Sequence, residues 1–263
     1  MLNHKTTMQN FKFSLIALAL TAATATVTAN AATVTVTFDD PIFNGSGFDV
    51  VHIKFPQEIG PGTTTEHVAA GRFQGTASNL VGVAPGVFVD GVNDLFMYCY
   101  DIYESINSNW LVNYTIDFDA ATARTLDFLG AVNTVMSGAA SSYSPYAWLH
   151  PTSAGQGAAI QLGIWESLYD NDANSWDLTT GTFKAWDLDS GTSSAWSSFT
   201  GAIGSSDSLD IRYTMVLKAT DAQDMITGDP PTNVPEPGSL ALVGLALVGL
   251  AGSRQLRRKD RHG

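Results

Sequence analysis

The sequence predicts a β-rich domain, built mainly of antiparallel strands, with two or three helices packed on it. Short runs of β-branched and aromatic residues fill the first half of the chain, and clusters of Gly, Pro, Asn and Asp separate them. This pattern is typical of strands joined by turns. Near residue 120 the apolar residues change to helical spacing. About 200 residues lie between two unusual chain ends, which is enough for a single domain with a sizeable core.

Five segments have the clearest strand patterns. Residues 33–38 alternate between Thr and apolar side chains, and residues 48–55 are largely apolar and β-branched. Residues 95–103 and 110–118 are separated by a short polar connection, and we expect them to pair as neighbouring antiparallel strands. The last predicted strand covers residues 209–219.

Two helices are expected after the first group of strands. Apolar residues recur at helical spacing within residues 120–136, namely Leu126, Leu129, Val132 and Met136. Asp119 or Thr122 is the expected N-cap, and Gly138 is the expected stop. The second helix is expected over residues 153–169, ahead of a polar stretch. The rest of the body is predicted to return to short strands and turns, including two hairpin-like turns that share a Trp-Asp-Leu sequence.

The first 31 residues have the three parts of a secretory signal peptide. A polar, mildly basic start is followed by a stretch rich in Ala, Leu, Val and Thr, which closes on the small residues Ala29, Asn30 and Ala31. The apolar stretch is too short and too rich in Thr for a spanning anchor. We therefore expect signal peptidase to cut after Ala31, which leaves residues 32–228 as an extracellular domain.

The other end of the chain contains a stiff linker, an apolar segment and a basic tail. Residues 229–237 are rich in Pro, and residues 238–253 carry no charge. We expect residues 238–253 to form a transmembrane sorting helix, although about 16 residues rise only roughly 24 Å as a helix, a little short of the hydrocarbon core of a membrane. The tail, residues 254–263, carries the cations that predict a cytoplasmic C-terminus, namely Arg254, Arg257, Arg258 and Lys259.

The linker ends in the sequence Val234-Pro235-Glu236-Pro237. Together with the apolar segment and the basic tail, it resembles the PEP-CTERM sorting signal of Gram-negative bacteria. The resemblance implies that an exosortase, a membrane transpeptidase-like enzyme, cuts near this motif, so that the inner membrane holds the protein only transiently. Proteins with this tail tend to come from biofilm- or floc-forming species that secrete exopolysaccharide. The implied destination is therefore the cell surface or the extracellular matrix.

The body between the two ends is strongly acidic. Residues 32–235 contain 6 Lys and Arg against 23 Asp and Glu, a formal charge of −17. This balance argues against nucleic acid and anionic membrane surfaces as partners. It fits a soluble extracellular domain and leaves room for calcium.

One stretch after the second helix begins like a calcium loop. Oxygen-bearing side chains alternate at Asp170, Asp172 and Asn174. The pattern then fails, since Ser175 stands where Gly is needed and Gly181 where a bidentate Glu is needed. A polar turn that caps the second helix is the favoured interpretation. Because the sequence has no zinc-protease motif, nucleophile elbow, P-loop or dinucleotide fingerprint, we expect a protein that is not an enzyme and needs no cofactor.

Cys99 is the one cysteine of the chain, so it cannot form an internal disulfide. It lies in a run of Leu, Phe, Met and Tyr that predicts a buried strand. Gln161 lies in the middle of the apolar face of the second helix, with Ala158, Trp165 and Leu168. A buried amide without partners costs roughly 1–3 kcal/mol, so we expect another group to hold Gln161. The thiol of Cys99 is one candidate.

The sequences around these two residues resemble the two halves of the thioester domain of bacterial surface adhesins. In that family an aromatic-flanked Cys and the Gln of a ΦQxxΦΦ segment (Φ is apolar) condense with loss of ammonia. The product is an internal thioester, an electrophile that captures an amine or hydroxyl of a partner. The resemblance covers residues 94–183 and implies a thioester between Cys99 and Gln161. The implied environment is formed by their neighbours in the sequence, Tyr98, Tyr100, Ile160, Ile164 and Trp165.

The sequence leaves three arrangements of Cys99 and Gln161 open: a formed thioester, an unreacted pair in contact, and two core residues that do not meet. The first arrangement favours a covalent adhesin. The other two favour a structural matrix protein, or a non-covalent module that binds exopolysaccharide or another surface glycan. In that second function, tryptophans such as Trp176 and Trp186 would provide a stacking platform for sugars.

Overall fold

The computed structural model describes residues 31–170 and 175–230. The predicted signal peptide up to residue 30, the sorting motif with its apolar segment, and the basic tail lie outside the described residues. Within the described ranges, no helix is long and apolar enough to span a membrane.

The described chain folds into nine strands and three α-helices. The strands are β1 (Thr33–Phe38), β2 (Phe48–Pro56), β3 (Thr63–Gly71), β4 (Phe73–Val81), β5 (Leu95–Cys99), β6 (Leu111–Asp117), β7 (Lys184–Trp186), β8 (Thr214–Lys218) and β9 (Met225–Gly228). The helices are α1 (Ala123–Ser137), α2 (Ala154–Tyr169) and α3 (Ser190–Ala202). The predicted β-rich domain with two or three helices is confirmed.

Six strands close into a barrel in the order β1-β4-β5-β9-β8-β6, and a second sheet has the order β3-β2-β7. All neighbouring strands are antiparallel. Helix α2 packs on the second sheet and also contacts α1 and α3. The buried apolar side chains form two cores. The first contains side chains of the barrel and the second sheet, and the second contains most of the buried apolar residues of the helices.

Strand alternation decides which core each side chain of β5 enters. Met97 and Cys99 lie in the first core, whereas Tyr98 lies in the second, because successive side chains of a strand point to opposite faces. Helix α2 contributes to both cores, with Leu162 in the first and Ile160 in the second. A helix that is buried in this way is apolar nearly all round.

The helix ends follow the local signals of the sequence. Thr122 Oγ1 accepts a hydrogen bond from the Thr125 amide at 3.2 Å and so caps the N-terminus of α1. Gly138 follows the helix with φ of 71°, a conformation that glycine adopts without strain. Ser153 caps α2 by accepting from the Gln156 amide. Of the two expected N-caps, Asp119 and Thr122, the structure has Thr122, and the predicted stop at Gly138 is confirmed.

The predicted pairing of the strands on either side of residues 100–110 is wrong. Strand β5 pairs with β4 and β9, and β6 pairs with β1 and β8. The residues just before β6 already pair with the end of β1. The Phe38 amide donates to the Trp110 carbonyl at 2.9 Å, and the Asn109 amide donates to the Phe38 carbonyl at 3.0 Å. The short polar connection therefore leads to a different neighbour and does not form a hairpin.

Helix α3 occupies a segment for which short strands and turns were expected. Most of its residues are Ser, Thr and Gly, which are weak helix formers. Tertiary packing stabilises it instead, because Thr192 and Phe199 are buried. The helix also approaches α2 so closely that a Cβ on Gly155 would lie 2.7 Å from the Thr192 nitrogen, so only a residue without a side chain fits there.

Candidate functional site

Cys99 is the last residue of β5, and its side chain lies in the first core. Only 2% of the residue is exposed. The thiol donates a hydrogen bond to Gln223, with Sγ and Oε1 2.8 Å apart. Burial raises the pKa of the Cys99 thiol well above its usual range, and the nearby Asp101 carboxyl raises it further. At neutral pH the thiol is therefore protonated and directed at the carboxamide of Gln223.

Gln223 lies in the turn that leads into β9, and hydrogen bonds fix both its backbone and its carboxamide. Its Nε2 donates to the Asp101 carbonyl at 2.9 Å, which leaves Oε1 for the thiol of Cys99. Its own carbonyl accepts from the Tyr114 hydroxyl at 3.1 Å, and the following amide, of Asp224, donates to Asp101 Oδ2 at 2.6 Å. Since a C=O bond is about 1.2 Å long, the carboxamide carbon of Gln223 lies within about 4 Å of the sulfur.

Gln161 is fully buried in α2, as its position on the apolar face predicts, and it contacts the backbone of Cys99. The Cys99 amide donates to Gln161 Oε1 at 2.9 Å, and Gln161 Nε2 donates to the Cys99 carbonyl at 2.8 Å. The carboxamide thus pairs with Cys99 much as a residue of a neighbouring strand would. Gln161 therefore forms hydrogen bonds with the backbone of Cys99, whereas Gln223 accepts a hydrogen bond from its thiol.

Of the five side chains expected around the site, Trp165 is the one that lines it. Trp165 and Cys99 lie in the same cleft, and Trp165 Nε1 donates to the Asp101 carbonyl at 3.0 Å. The other four lie in the second core, namely Tyr98, Tyr100, Ile160 and Ile164. Because Tyr98 and Tyr100 flank Cys99 in the sequence, the alternation of the chain turns them to the opposite face.

A cleft of about 350 Å³ leads from the surface to Cys99 and Gln223. Its walls include the apolar and aromatic side chains of Phe43, Val68, Phe73, Ile102 and Trp165, and the polar residues Ser105, Asn107 and Ser108. Its exposed lining includes Glu66 of β3 and Glu104 of the connection between β5 and β6. The cleft is therefore the route by which a small molecule or a side chain reaches the thiol.

Asp101 takes part in three hydrogen bonds at or next to Gln223. Its carbonyl accepts from Gln223 and from Trp165, and its carboxylate accepts from the Asp224 amide. Burial raises the pKa of Asp101 to about 7; the Asp224 amide opposes this rise, and the carboxylates of Glu104 and Asp224 add to it. This carboxyl therefore exchanges its proton in the neutral range, which is common at functional sites.

The weak calcium candidate contains one residue that the structure describes. Asp170 Oδ1 accepts from the Thr182 amide at 2.7 Å and packs against Gly181, so it caps a turn after α2. Asp172 and Asn174 lie outside the described residues. In the part of the chain that the structure covers, no group of three or more His, Cys, Asp or Glu residues is arranged to hold a metal ion.

The two tryptophans of the glycan-platform hypothesis have different surroundings. Trp176 stacks on Phe128, with 5.3 Å between ring centroids, and lies under the Arg124 guanidinium at 4.4 Å. Trp186 is 39% exposed on β7 and stacks on His52 at 5.4 Å. Of these two rings, Trp186 is the one that offers a large area to solvent.

Gln223 is the site residue that sequence reasoning does not find. It stands two residues before β9, and the pairing of Cys99 with Met225 brings that strand beside the cysteine. The local signal is a Gln two residues ahead of the apolar pair Met225 and Ile226. This signal is too common to identify Gln223 by itself. The pairing of β5 with β9 identifies it, because that pairing brings Gln223 next to Cys99.

Residues 233–258 match the family described as the PEP-CTERM protein-sorting motif. The match confirms the predicted sorting signal and covers the Pro-Glu-Pro motif, the apolar segment and the first half of the basic tail. The chain is therefore sorted as an exported protein, anchored in the membrane before an exosortase processes it. No curated protein matches the chain, and no solved structure matches it.

Proposed function

We propose that this chain is a non-enzymatic surface or matrix protein in which Cys99 and Gln223 condense to an internal thioester, and that this thioester attaches the protein covalently to a partner. The observation that carries the proposal is the 2.8 Å contact between the Cys99 sulfur and Gln223 Oε1 in a buried site. Gln223 provides the acyl group, and Gln161 positions the cysteine.

The condensation balances with the two side chains alone. The sulfur of Cys99 attacks the carboxamide carbon of Gln223, and the carbon–nitrogen bond breaks. The thiol proton leaves with the nitrogen as ammonia, and the nitrogen is held beforehand by the Asp101 carbonyl. The raised pKa of Cys99 keeps the fraction of thiolate small. The fixed contact between the sulfur and the Gln223 carboxamide compensates, because two well-oriented neighbouring groups react as if each were present at a very high concentration.

The hydrogen bonds favour Gln223 over Gln161 as the acyl residue. If Gln161 reacted, both of its hydrogen bonds to the Cys99 backbone would break in a buried site. Each group left unpaired there costs about 1–3 kcal/mol. Gln223 gives up its hydrogen bonds to the thiol and to the Asp101 carbonyl. The new carbon–sulfur bond replaces the first, and the Asp101 carbonyl keeps its hydrogen bond from Trp165.

Delivery outside the cell supports an adhesive role for such a bond. A thioester persists where water is excluded, and Cys99 and Gln223 are 2% and 8% exposed. The sorting motif sends the domain out of the cytoplasm. Outside the cell the proposed thioester meets amines and hydroxyls of other molecules. The proposed product is a covalent link between this protein and a surface or matrix component.

The intact mass of the purified exported protein tests the proposal. The wild-type protein is expected to be lighter than its sequence by one ammonia, and Cys99→Ala and Gln223→Ala are each expected to restore the full mass. Gln57→Met, at an exposed residue, is the matched control and is expected to retain the loss. Methylamine is expected to open the thioester, free the thiol and leave a methylated amide at position 223, which peptide mapping distinguishes from position 161.

A wild-type protein of full mass, whose thiol alkylates after denaturation, would refute the thioester. Non-covalent binding of secreted polysaccharide would then be the better proposal, with Trp186 as the exposed ring. A methylamine adduct on Gln161 would instead reassign the acyl group to that residue.

A further inference from the structure

The second sheet has one face in the first core and one face toward solvent. Ile53 of β2 and Ala185 of β7 lie in the first core with Cys99, and the residues that alternate with them point to the opposite side. We call that side the outer face and define it by five residues, namely His52 and Lys54 of β2, His67 of β3, and Lys184 and Trp186 of β7. The outer face is therefore separated from the proposed thioester by the sheet itself.

Three rings stack across the outer face, one from each strand. His67 and His52 are opposite each other, with ring centroids 4.4 Å apart, and His52 and Trp186 are opposite each other, with centroids 5.4 Å apart. The Asp187 carboxylate contacts His52 Nδ1 at 2.9 Å and holds the middle ring in place. Since β7 is an edge strand and Trp186 is 39% exposed, the indole offers an open surface beside a fixed stack. A broad aromatic surface of this kind suits the apolar side of a sugar ring.

Two lysines face each other beside this stack. Lys54 and Lys184 are partners in the register of β2 with β7, so their Cβ atoms lie about 4.5–5.5 Å apart, and like charges in such positions destabilise a sheet. Asp177 is near Lys184, but its carboxylate already accepts from the amide and the hydroxyl of Thr179, at 2.9 and 2.7 Å. An anion bound between the two ammonium groups removes their repulsion.

The outer face is the basic part of an acidic domain. Residues 32–235 carry a formal charge of −17. The other four cations of the described ranges are either buried or paired with a carboxylate, namely Arg72, Arg124, Arg212 and Lys218. Because charges more than about 8 Å away are screened at physiological salt, a single anionic strand on the outer face responds mainly to Lys54 and Lys184. A nucleic-acid duplex or a membrane extends past this face onto acidic residues.

We propose that the outer face binds a single strand of an acidic polysaccharide, with a carboxylate of one sugar between Lys54 and Lys184 and the ring of a neighbouring sugar on Trp186. Lys184 and Trp186 are two positions apart on β7, a separation of about 7 Å, so one strand reaches both. The lysines select a sugar acid over a neutral sugar, and the indole selects a ring over a simple anion. This site goes beyond the thioester and does not depend on it.

Calorimetric titration of the purified exported protein tests the inference. The probes are oligogalacturonate, whose sugars carry carboxylates, and a neutral maltooligosaccharide of the same length. Oligogalacturonate is expected to bind at least about ten-fold more tightly, and added salt is expected to reduce this ratio. Lys54→Gln and Lys184→Gln are each expected to weaken its binding about two- to five-fold, and Trp186→Ala about ten-fold.

Two matched controls lie away from the outer face. Lys218→Gln removes a lysine of β8 that pairs with Asp117, and Trp110→Ala removes an indole that is 41% exposed just before β6. Both are expected to leave oligogalacturonate binding unchanged. Loss of the fold does not explain weaker binding in Lys54→Gln, because removal of a like-charge pair is expected to keep or raise the melting temperature.

The outcomes separate this inference from the thioester. Equal affinity for oligogalacturonate in the wild type and in the double variant of Lys54→Gln and Lys184→Gln would overturn it, as would equal or tighter binding of the neutral probe. Tighter binding of a deoxythymidine oligonucleotide would assign the face to single-stranded nucleic acid and overturn the polysaccharide. Folded Cys99→Ala is expected to bind like the wild type, and loss of binding there would place the ligand in the cleft instead. Full mass in the untreated protein refutes the thioester and leaves a lysine-dependent site on the outer face intact.

Discussion

The Gln161→Met substitution removes two hydrogen bonds at the end of β5 and keeps most of the side-chain volume. In the wild-type protein the Gln161 carboxamide accepts from the Cys99 amide at 2.9 Å and donates to the Cys99 carbonyl at 2.8 Å. Methionine has a similar length and fills irregular apolar space well, but it replaces neither partner. The substitution therefore isolates the polar contribution of Gln161.

The expected loss of stability follows from the number of buried groups left without partners. Each of the two backbone groups of Cys99 that loses its partner costs about 1–3 kcal/mol. Part of this loss is offset, because an apolar side chain leaves water more readily than an amide. The free energy of unfolding is expected to fall by about 2–5 kcal/mol in total, a large share of the roughly 5–15 kcal/mol typical of a domain.

Urea unfolding followed by tryptophan fluorescence measures this loss. The substitution is made in a Cys99→Ala background, so that no thioester constrains the unfolded chain. Gln57→Met is the control, because Gln57 is exposed and its replacement is expected to change stability by less than about 0.5 kcal/mol. A change equally small for Gln161→Met would refute the positioning role of Gln161.

Two further substitutions test helix α2. Burial, followed by the Asp170 carboxylate, raises the pKa of the fully buried Glu166 to about 8, and the Arg124 guanidinium, 3.5 Å from Glu166 Oε1, opposes part of the rise. Since the folded state binds this proton more tightly, its contribution to stability is complete below about pH 4 and is lost as the pH rises to about 8. Glu166→Gln is expected to gain on the order of 2 kcal/mol over the wild type between about pH 5 and 8, and unchanged relative urea midpoints would contradict this. Gly163→Ala drives a Cβ into the Phe128 ring and is expected to cost about 1–3 kcal/mol. A melting temperature no lower than that of Gly201→Ala, whose new Cβ meets no atom within 4 Å, would refute the overpacking.

Local patterns predict the elements of this fold better than their pairing. The cap at Thr122 and the stop at Gly138 depend on a few neighbouring residues, and both are where the sequence indicates. Helix α3 is different, because its Ser- and Thr-rich segment is stabilised by the burial of Phe199 against other elements. The partners of β5 depend on contacts between distant residues, such as Cys99 with Met225, which no local pattern encodes.

The candidate site divides in the same way. The burial of Cys99 follows from its apolar strand, and the burial of Gln161 follows from helical spacing, so both are readable from the sequence. Periodicity assigns a residue to a face but does not say which atoms meet there. The carboxamide of Gln161 reaches the backbone of Cys99, while the sulfur meets Gln223 through the pairing of β5 with β9. That second contact needs the closed barrel.

Closure of the barrel also shields the thiol of Cys99. An exported protein meets oxidising conditions, in which a free cysteine forms disulfides with other proteins. Cys99 is 2% exposed and its pKa is raised, so it is a poor partner for thiol exchange once the domain has folded. In the unfolded chain Cys99 and Gln223 are separated by 124 positions, and the entropy of closing such a loop keeps them apart. The proposed thioester therefore forms only after folding. The contact with Gln223 that shields the sulfur of Cys99 is also the contact through which the two side chains react.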